Sequence, residues 1–327
     1  MRRVEFRRVD WQFTSTFRIS YRTRTHAEAV QVEISEGTLT GRGEAFGVSY
    51  HGETAETVLA QLNAMKSDLI NGLSREDLQT HLAPGGARSA VDCALWDLEA
   101  KRAGKRAWEL AGMSSVYPLT TDYTLSLDSP QAMAQAAAAV PQYTVLKLKL
   151  AGDGDLERVA AVRLARPDAE LIVDANQGWN EQQLYAFTPR LAELGVQLIE
   201  QPLPAGEDAV LAQFNSPVPL CADESCQTTA SLPSLRGKYQ YINIKLDKTG
   251  GLTEALRLAQ AARAAGLQLM IGSMAGGSSL SMAPAFIIGQ LSRFVDLDGP
   301  LLCTADVPHG IAYEGGLMSI PTALLWG

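Results

Sequence analysis

The chain has 327 residues, 46% of them hydrophobic and 20% charged, with a mean hydropathy of −0.03. This is the profile of a globular protein with room for a large core, and it excludes a fibrous or disordered chain. Lys plus Arg number 28 against 36 Asp plus Glu, a net charge of −8, which speaks against nucleic acid as a partner.

Along the first hundred residues, strand and helix patterns mix without a repeat. A strand ends near Ser20, Val30 to Ile34 alternates apolar and polar, and Thr38 to Phe46 is its partner across the Glu36-Gly37 turn. Ala55 to Leu69 and Ala87 to Ala103 carry helical periodicity, the second with Ala90, Val91, Ala94, Leu95 and Leu98 on one face. This predicts an α+β unit over residues 1–115.

From about residue 118 the pattern changes. Apolar runs end near Thr124, Lys149, Asp174, Glu200, Asp223, Lys245, Ser273 and Asp298, spaced by 25, 25, 26, 23, 22, 28 and 25 residues. Each interval fits one strand, one crossover helix and two loops. Helix starts lie between them: Ser129-Pro130, Asn180 before Glu181, and Gly250-Gly251 before Leu252, with Gly266 closing that last helix. Eight such units predict a closed parallel barrel over 116–305, with 306–327 packing back on the N-terminal unit. An open doubly wound sheet is the alternative, but no Gly-x-Gly-x-x-Gly follows a strand.

Cys93, Cys221, Cys226 and Cys303 are scattered, form no CxxC pair, and read as reduced thiols of a cytoplasmic protein. The N-terminus has no apolar signal-peptide core and no stretch approaches the roughly 20 apolar residues of a span, so no membrane is expected as a partner.

The residues closing the predicted strands are the informative ones. Lys147 and Lys149, two apart, point to one face of their strand, and the next three runs end in Asp174, Glu200 and Asp223. Alone, each carboxylate reads as a solvated loop charge or a helix cap. Three in consecutive units converge on the barrel mouth, where they repel one another unless a cation compensates. An oxygen-only set suits Mg²⁺, since His26, His51, His81 and His309 all lie away from the strand ends. Lys149 and Lys245, on the second and sixth strands, face each other across the mouth. A nearby cation and Lys147 are expected to lower their pKa and make each a base. A base on each face of a metal-held substrate matches proton abstraction α to a carboxylate.

Lys147-Leu-Lys149, Asp174-Ala-Asn176, Glu200-Gln-Pro202, Asp223-Glu-Ser225 and Lys245-Leu-Asp-Lys-Thr-Gly-Gly251 together resemble the enolase superfamily, in its muconate-lactonising subgroup, over essentially the whole chain. The resemblance implies a modified (β/α)₇β barrel under an N-terminal α+β capping domain. It implies one Mg²⁺ on Asp174, Glu200 and Asp223, Lys149 and Lys245 as the acid/base pair, and Asn176 and Asp247 as supports behind them. Lys147 is then expected to help stabilise an enolate.

Within the subgroup, Val295-Asp-Leu-Asp-Gly-Pro300 is similar to the Asp-x-Asp pattern of the dipeptide epimerases, where Asp296 and Asp298 suit a substrate ammonium. A loop turn before Gly-Pro is the alternative. The same resemblance aligns Arg24, in Tyr21-Arg-Thr-Arg-Thr25, and Thr124 with substrate-binding positions of the L-Ala-D/L-Glu epimerases; the alternative is that Arg22 and Arg24 are solvated loop charges. The Gly272–Ser279 segment, richer in Gly and Ser than the family pattern, puts Ser273 near the substrate. The expectation is an Mg²⁺-dependent dipeptide epimerase working on peptidoglycan-type peptides. N-acylamino acid racemisation, o-succinylbenzoate synthesis or cycloisomerisation stand as alternatives on the same scaffold, and a non-catalytic binding barrel as a remote one. A homo-oligomer is compatible with the sequence, which gives no evidence for it.

Overall fold

The computed structural model describes residues 2–327. The capping domain is a three-stranded antiparallel sheet, β1 (Arg3–Ile19), β2 (Arg22–Glu36) and β3 (Leu39–Phe46), with four helices against it. These are α1 (Ala55–Ala64), α2 (Lys66–Ile70), α3 (Arg75–His81) and α4 (Gly86–Ala103). The helix predicted over 55–69 is broken at Met65, where φ −100° and ψ 6° leave the helical region. Its apolar stripe continues through the break, with Leu62, Met65 and Leu69 all buried, so periodicity alone does not show it. β3 lies close on α4 because Gly41 and Gly43 present no side chain to it. A Cβ on either would stand 2.1 Å from a carbonyl oxygen of the helix, Ala94 O or Ala90 O.

After α5 (Ala107–Leu110) and a short β4 (Leu119–Thr120), eight parallel strands follow in sequence order around one sheet. They are β5 (Tyr123–Leu125), β6 (Val145–Lys149), β7 (Glu170–Asp174), β8 (Val196–Glu200), β9 (Leu220–Ala222), β10 (Tyr241–Ile244), β11 (Gln268–Gly272) and β12 (Phe294–Asp296). The sheet closes on itself: Asp122 N donates to Val295 O at 2.9 Å and Leu297 N donates to Thr121 Oγ1 at 2.8 Å. The expected barrel stands. The first three crossover helices are α6 (Pro130–Ala138), α7 (Asp155–Ala165) and α8 (Glu181–Glu193). Beyond them come α9 (Leu232–Leu235), α10 (Leu246–Thr249), α11 (Leu252–Ala264) and α12 (Ser279–Gly289). Between β8 and β9 only a 3₁₀ turn forms, at Ala209–Gln213, in a stretch punctuated by Pro202, Pro204, Gly206, Pro217 and Pro219.

Strand periodicity sorts the side chains. Leu146, Leu148, Val173, Ile199, Ile242 and Ile244 face outward into the layer under the helices. The alternating residues Ile172, Leu198, Cys221, Tyr241, Met270 and Phe294 form a separate apolar floor inside the barrel. Two residues further along four of these strands stand Asp174, Glu200, Asp223 and Asp296, so one face of each strand carries both the plug and the charge above it.

The remainder of the chain forms a hairpin of β13 (Tyr313–Glu314) and β14 (Leu317–Met318), the second of which pairs with β4. Arg106 then donates to Pro321 O at 2.7 Å, and Gly327 N to Asp97 Oδ1 of α4 at 2.7 Å. No helix of the described residues is long and apolar enough to cross a membrane.

Candidate active site

The sequence-selected residues converge on one cavity between the barrel mouth and the cap. Lys149, Asn176, Asp223, Lys245, Asp296 and Asp298 line it from the barrel. Thr124 and Ser273 do so as well, and Arg24, Tyr21 and Tyr50 close it from the cap. Lys147, Asp174 and Glu200 lie beneath, each 0% exposed. Asp247 does not support Lys245 as expected. Its Oδ1 accepts from Phe46 N at 2.7 Å, so it ties the end of β3 to the barrel. The sequence separation of 201 residues hides that contact from any local reading.

Every carboxylate of the central group meets an amine. Asp174 Oδ2 is 2.6 Å from Lys149 Nζ and 3.3 Å from Lys147 Nζ. Asp223 is held by Lys245 at 2.8 Å and by Lys248 at 2.5 Å. Burial works to raise the Asp223 carboxyl, but these two ammonium groups hold it well below the usual range. Burial acts likewise on Asp174, where Lys149 and Lys147 win and the net shift is downward. Glu200 goes the other way: burial, and then the charge of Asp174, push it up to about 7. Its Oε1 accepts from Asn243 Nδ2 at 2.7 Å, and its Oε2 stands 2.7 Å from Lys147 Nζ without making a hydrogen bond.

A lowered lysine pKa is the expectation beside a bound cation, and the protein's own charges act on Lys245 in the opposite direction. Burial favours the neutral amine of Lys245, but Asp223 and Glu200 overcome it and hold the ammonium well above its ordinary value. Lys147 behaves the same way, with Asp296, Glu200 and Asp174 outweighing burial. The expectation weighed the lysines against a cation and each other, whereas in the fold they lie directly on the carboxylates.

A second acidic group flanks the first. Asp122, Asp296 and Asp298 are all buried, and one oxygen of each lies within 4.8 Å of the others. Lys147 reaches Asp296 at 2.6 Å and Thr124 N donates to Asp298 at 2.7 Å, while neither oxygen of Asp122 has a partner. Burial, and then Asp296, push Asp298 up to about 7. Lys147 therefore bridges the two clusters.

Asp122, Glu224, Asn243 and Lys248 were not selected from the sequence. Asn243 sits at the period-2 position before Lys245, a signal that was there to read. Glu224 and Lys248 lie inside quoted motifs, and Glu224 is raised to about 8 by burial and then Asp223. Asp122 precedes its strand, where neither period nor spacing marks it.

The residues present fit a hard cation. Asp174, Glu200 and Asp223 stand side by side at the ends of β7, β8 and β9, supply oxygen alone, and are buried, with one Glu200 oxygen lacking a hydrogen bond.

A capped parallel barrel whose mouth gathers lysines and carboxylates from successive strand ends defines an enzyme of the enolase type. The chain belongs to that family: residues 131–324 match the enolase C-terminal domain-like model, and residues 1–112 the N-terminal domain of mandelate racemase / muconate lactonizing enzyme. It is 43% identical to an L-Ala-D/L-Glu epimerase of Escherichia coli over 97% of this chain and 99% of that one. A crystal structure of an enolase family member from Agrobacterium tumefaciens, with bound sodium and L-Ala-L-Glu, superposes with a TM-score of 0.98. It shares 46% identity, with full coverage of both chains. A dipeptide epimerase from Enterococcus faecalis, complexed with Mg and L-Leu-L-Tyr, has a TM-score of 0.89 at 29% identity, covering 97% of this chain and 96% of that one.

Proposed function

We propose that the protein is a Mg²⁺-dependent dipeptide epimerase that inverts the α-carbon of the C-terminal residue, with L-Ala-D/L-Glu as its substrate. The observation that carries this reading is the placement of two lysines on one cavity. Lys149 ends the second barrel strand and Lys245 follows the sixth, so they face each other across an eight-stranded mouth. One amine, as the free base, takes the α-proton and becomes an ammonium. The opposite ammonium gives a proton to the other face of the same carbon, so the substrate is neither oxidised nor cleaved. Asp174, Glu200 and Asp223 are assigned to the metal, which when bound supplies positive charge beside the substrate carboxylate and so eases loss of the α-proton.

Lys147 adds a fixed ammonium on the same side. Asp296 and Asp298 are the counter-charge for the substrate ammonium, with Thr124 N holding Asp298 in place. Arg24, on the cap, suits the side-chain carboxylate of a C-terminal Glu, because its planar fork bonds both oxygens. Ser273 borders the same substrate space, and Asn176 N steadies Asp174 Oδ1 at 2.9 Å. The division into cap 1–115, barrel 116–305 and returning segment 306–327 belongs to the same reading. So do a cytoplasmic location, supported by four unpaired, buried cysteines, and a part in peptidoglycan peptide metabolism.

Incubation with L-Ala-L-Glu in D₂O tests the proposal. Epimerisation gives α-deuterated Glu and the L-Ala-D-Glu diastereomer by NMR. An unsaturated product, or exchange only on N-acetylglutamate, would replace it with a lyase or an N-acylamino acid racemase.

A further inference from the structure

The Gly272–Ser279 segment between β11 and α12 is rich in residues that do not fix a backbone by themselves, yet Ser273, Met274 and Ala275 form one wall of the cavity. We propose that Glu44 of the capping domain is the positioning residue that sets this wall. The inference rests on the epimerase reading for what the wall does, and on geometry alone for how it is held.

Glu44 lies on β3, is 3% exposed, and does not line the cavity. Its two oxygens divide between the domains. Oε2 accepts from Gln31 Nε2 at 2.6 Å and from Trp11 Nε1 at 3.1 Å, both in the capping sheet. Oε1 accepts from the backbone N and the hydroxyl of Ser278, each at 2.9 Å. Ser278 is the residue before α12, and its hydroxyl oxygen in turn accepts from Leu280 N at 3.1 Å. A buried carboxylate with four neutral donors joins the cap to the start of an 11-residue helix, whose N-terminal dipole favours the negative charge.

Packing leaves the loop one path between those anchors. Gly276 and Gly277 have φ of +81° and +116°. A Cβ on Gly276 would stand 2.3 Å from Phe13 Cε1, and one on Gly277 2.8 Å from Phe46 Cζ. Glycine lets the chain pass between the cap's aromatic rings and the barrel, at the cost of intrinsic stiffness. The bonds to Glu44 restore that stiffness from the side of the cap. The carboxylate thus acts on substrate only through the loop, and its loss is felt as looser binding.

The test uses the full chain and the variants Glu44→Ala, Ser278→Ala and their combination. Steady-state kinetics with L-Ala-L-Glu are read with hydrogen exchange of the 273–278 amides, well below each variant's Tm. Each single variant is expected to raise KM about fivefold, the scale of one lost hydrogen bond, with kcat changed less than twofold. Exchange should quicken in 273–278, and the double variant should be no worse than Glu44→Ala, because Ser278→Ala removes one of the two bonds that Glu44→Ala removes together. A fall in Tm with unchanged KM and loop exchange would mean a merely structural carboxylate and would overturn the proposal. So would additive KM effects. If Glu44→Ala does not fold, Ser278→Ala, which removes one hydroxyl, decides alone. If the wild type turns over no dipeptide, the epimerase reading is what has failed, and loop exchange in the variants still decides whether Glu44 sets the wall.

Discussion

Lys149 Nζ stands 2.6 Å from Oδ2 of Asp174, the residue directly opposite it in the β6–β7 ladder. A proposed base and a proposed metal ligand are therefore register partners, and the distance between them is set by the sheet. Lys245 also meets an assigned metal ligand, Asp223 at 2.8 Å, but not as its register partner: β10 and β9 pair Ile242 with Ala222, so Lys245 stands two residues beyond the position opposite Asp223.

The two lysines are separable by isotope. Lys149→Ala should abolish epimerisation but leave α-proton exchange with one substrate epimer, and Lys245→Ala should leave exchange with the other. Deuterium incorporation from D₂O into L-Ala-L-Glu and L-Ala-D-Glu, followed separately, reads this. Normal turnover in either variant would end the two-base mechanism.

Asp174→Asn, Glu200→Gln and Asp223→Asn preserve side-chain size and remove ligand charge. Each should lower Mg²⁺ affinity and activity by more than about a hundredfold while the circular dichroism spectrum is retained. Activity that persists in excess EDTA would contradict the metal assignment.

Arg24 is pulled below its ordinary range by burial and then by Arg22, so a carboxylate is a welcome partner for it. Arg24→Ala should raise KM for L-Ala-L-Glu about tenfold to a hundredfold, the equivalent of about 1.5–3 kcal/mol for a charge-assisted bond. L-Ala-L-Leu should be almost unaffected. Equal losses on both would show that Arg24 does not read the side chain.

Asp247 gives a pH prediction for the joint between the domains. Burial pushes its carboxyl up to about 7, from an ordinary value of about 4. The folded chain thus retains the proton longer than the unfolded one. Stability from this group is greatest in acid, falls as pH rises from about 4 to about 7, and is level above that. Asp247→Asn keeps an acceptor for Phe46 N and has no charge to bury. Its Tm should therefore gain on the wild type between pH 4.5 and 7.5, by differential scanning fluorimetry. Parallel Tm curves would refute the assignment.

The barrel was legible because each buried run stops at a charge. All eight expected strand ends fall within two residues of those observed, from Thr124 against Leu125 to Asp298 against Asp296. The central residues were legible for the same reason, since period-2 geometry puts Lys147 with Lys149 and each carboxylate above the floor. What escaped depends on approach in space. Asp247 meets the cap instead of Lys245, and Asp122 joins Asp296 and Asp298 only when the first and last strands close the barrel. The upward pull of Asp223 and Glu200 on Lys245 escaped as well, because proximity to carboxylates is a tertiary fact. The missing helix between β8 and β9 was legible in its prolines, but the regular spacing overrode them.

The seat of Trp326 on α4 ties the timetable of synthesis to this architecture. Trp326 Nε1 donates to Cys93 O at 3.1 Å, and Oδ1 of Asp97 waits for a donor 230 positions downstream. A nascent capping domain leaving the ribosome has neither contact, and its longest helix keeps a bare flank while all eight barrel strands are made. Completion of the first domain is thus deferred until the second has been translated. Long-range closure of this kind slows folding and lengthens the interval in which a chaperone could bind that flank.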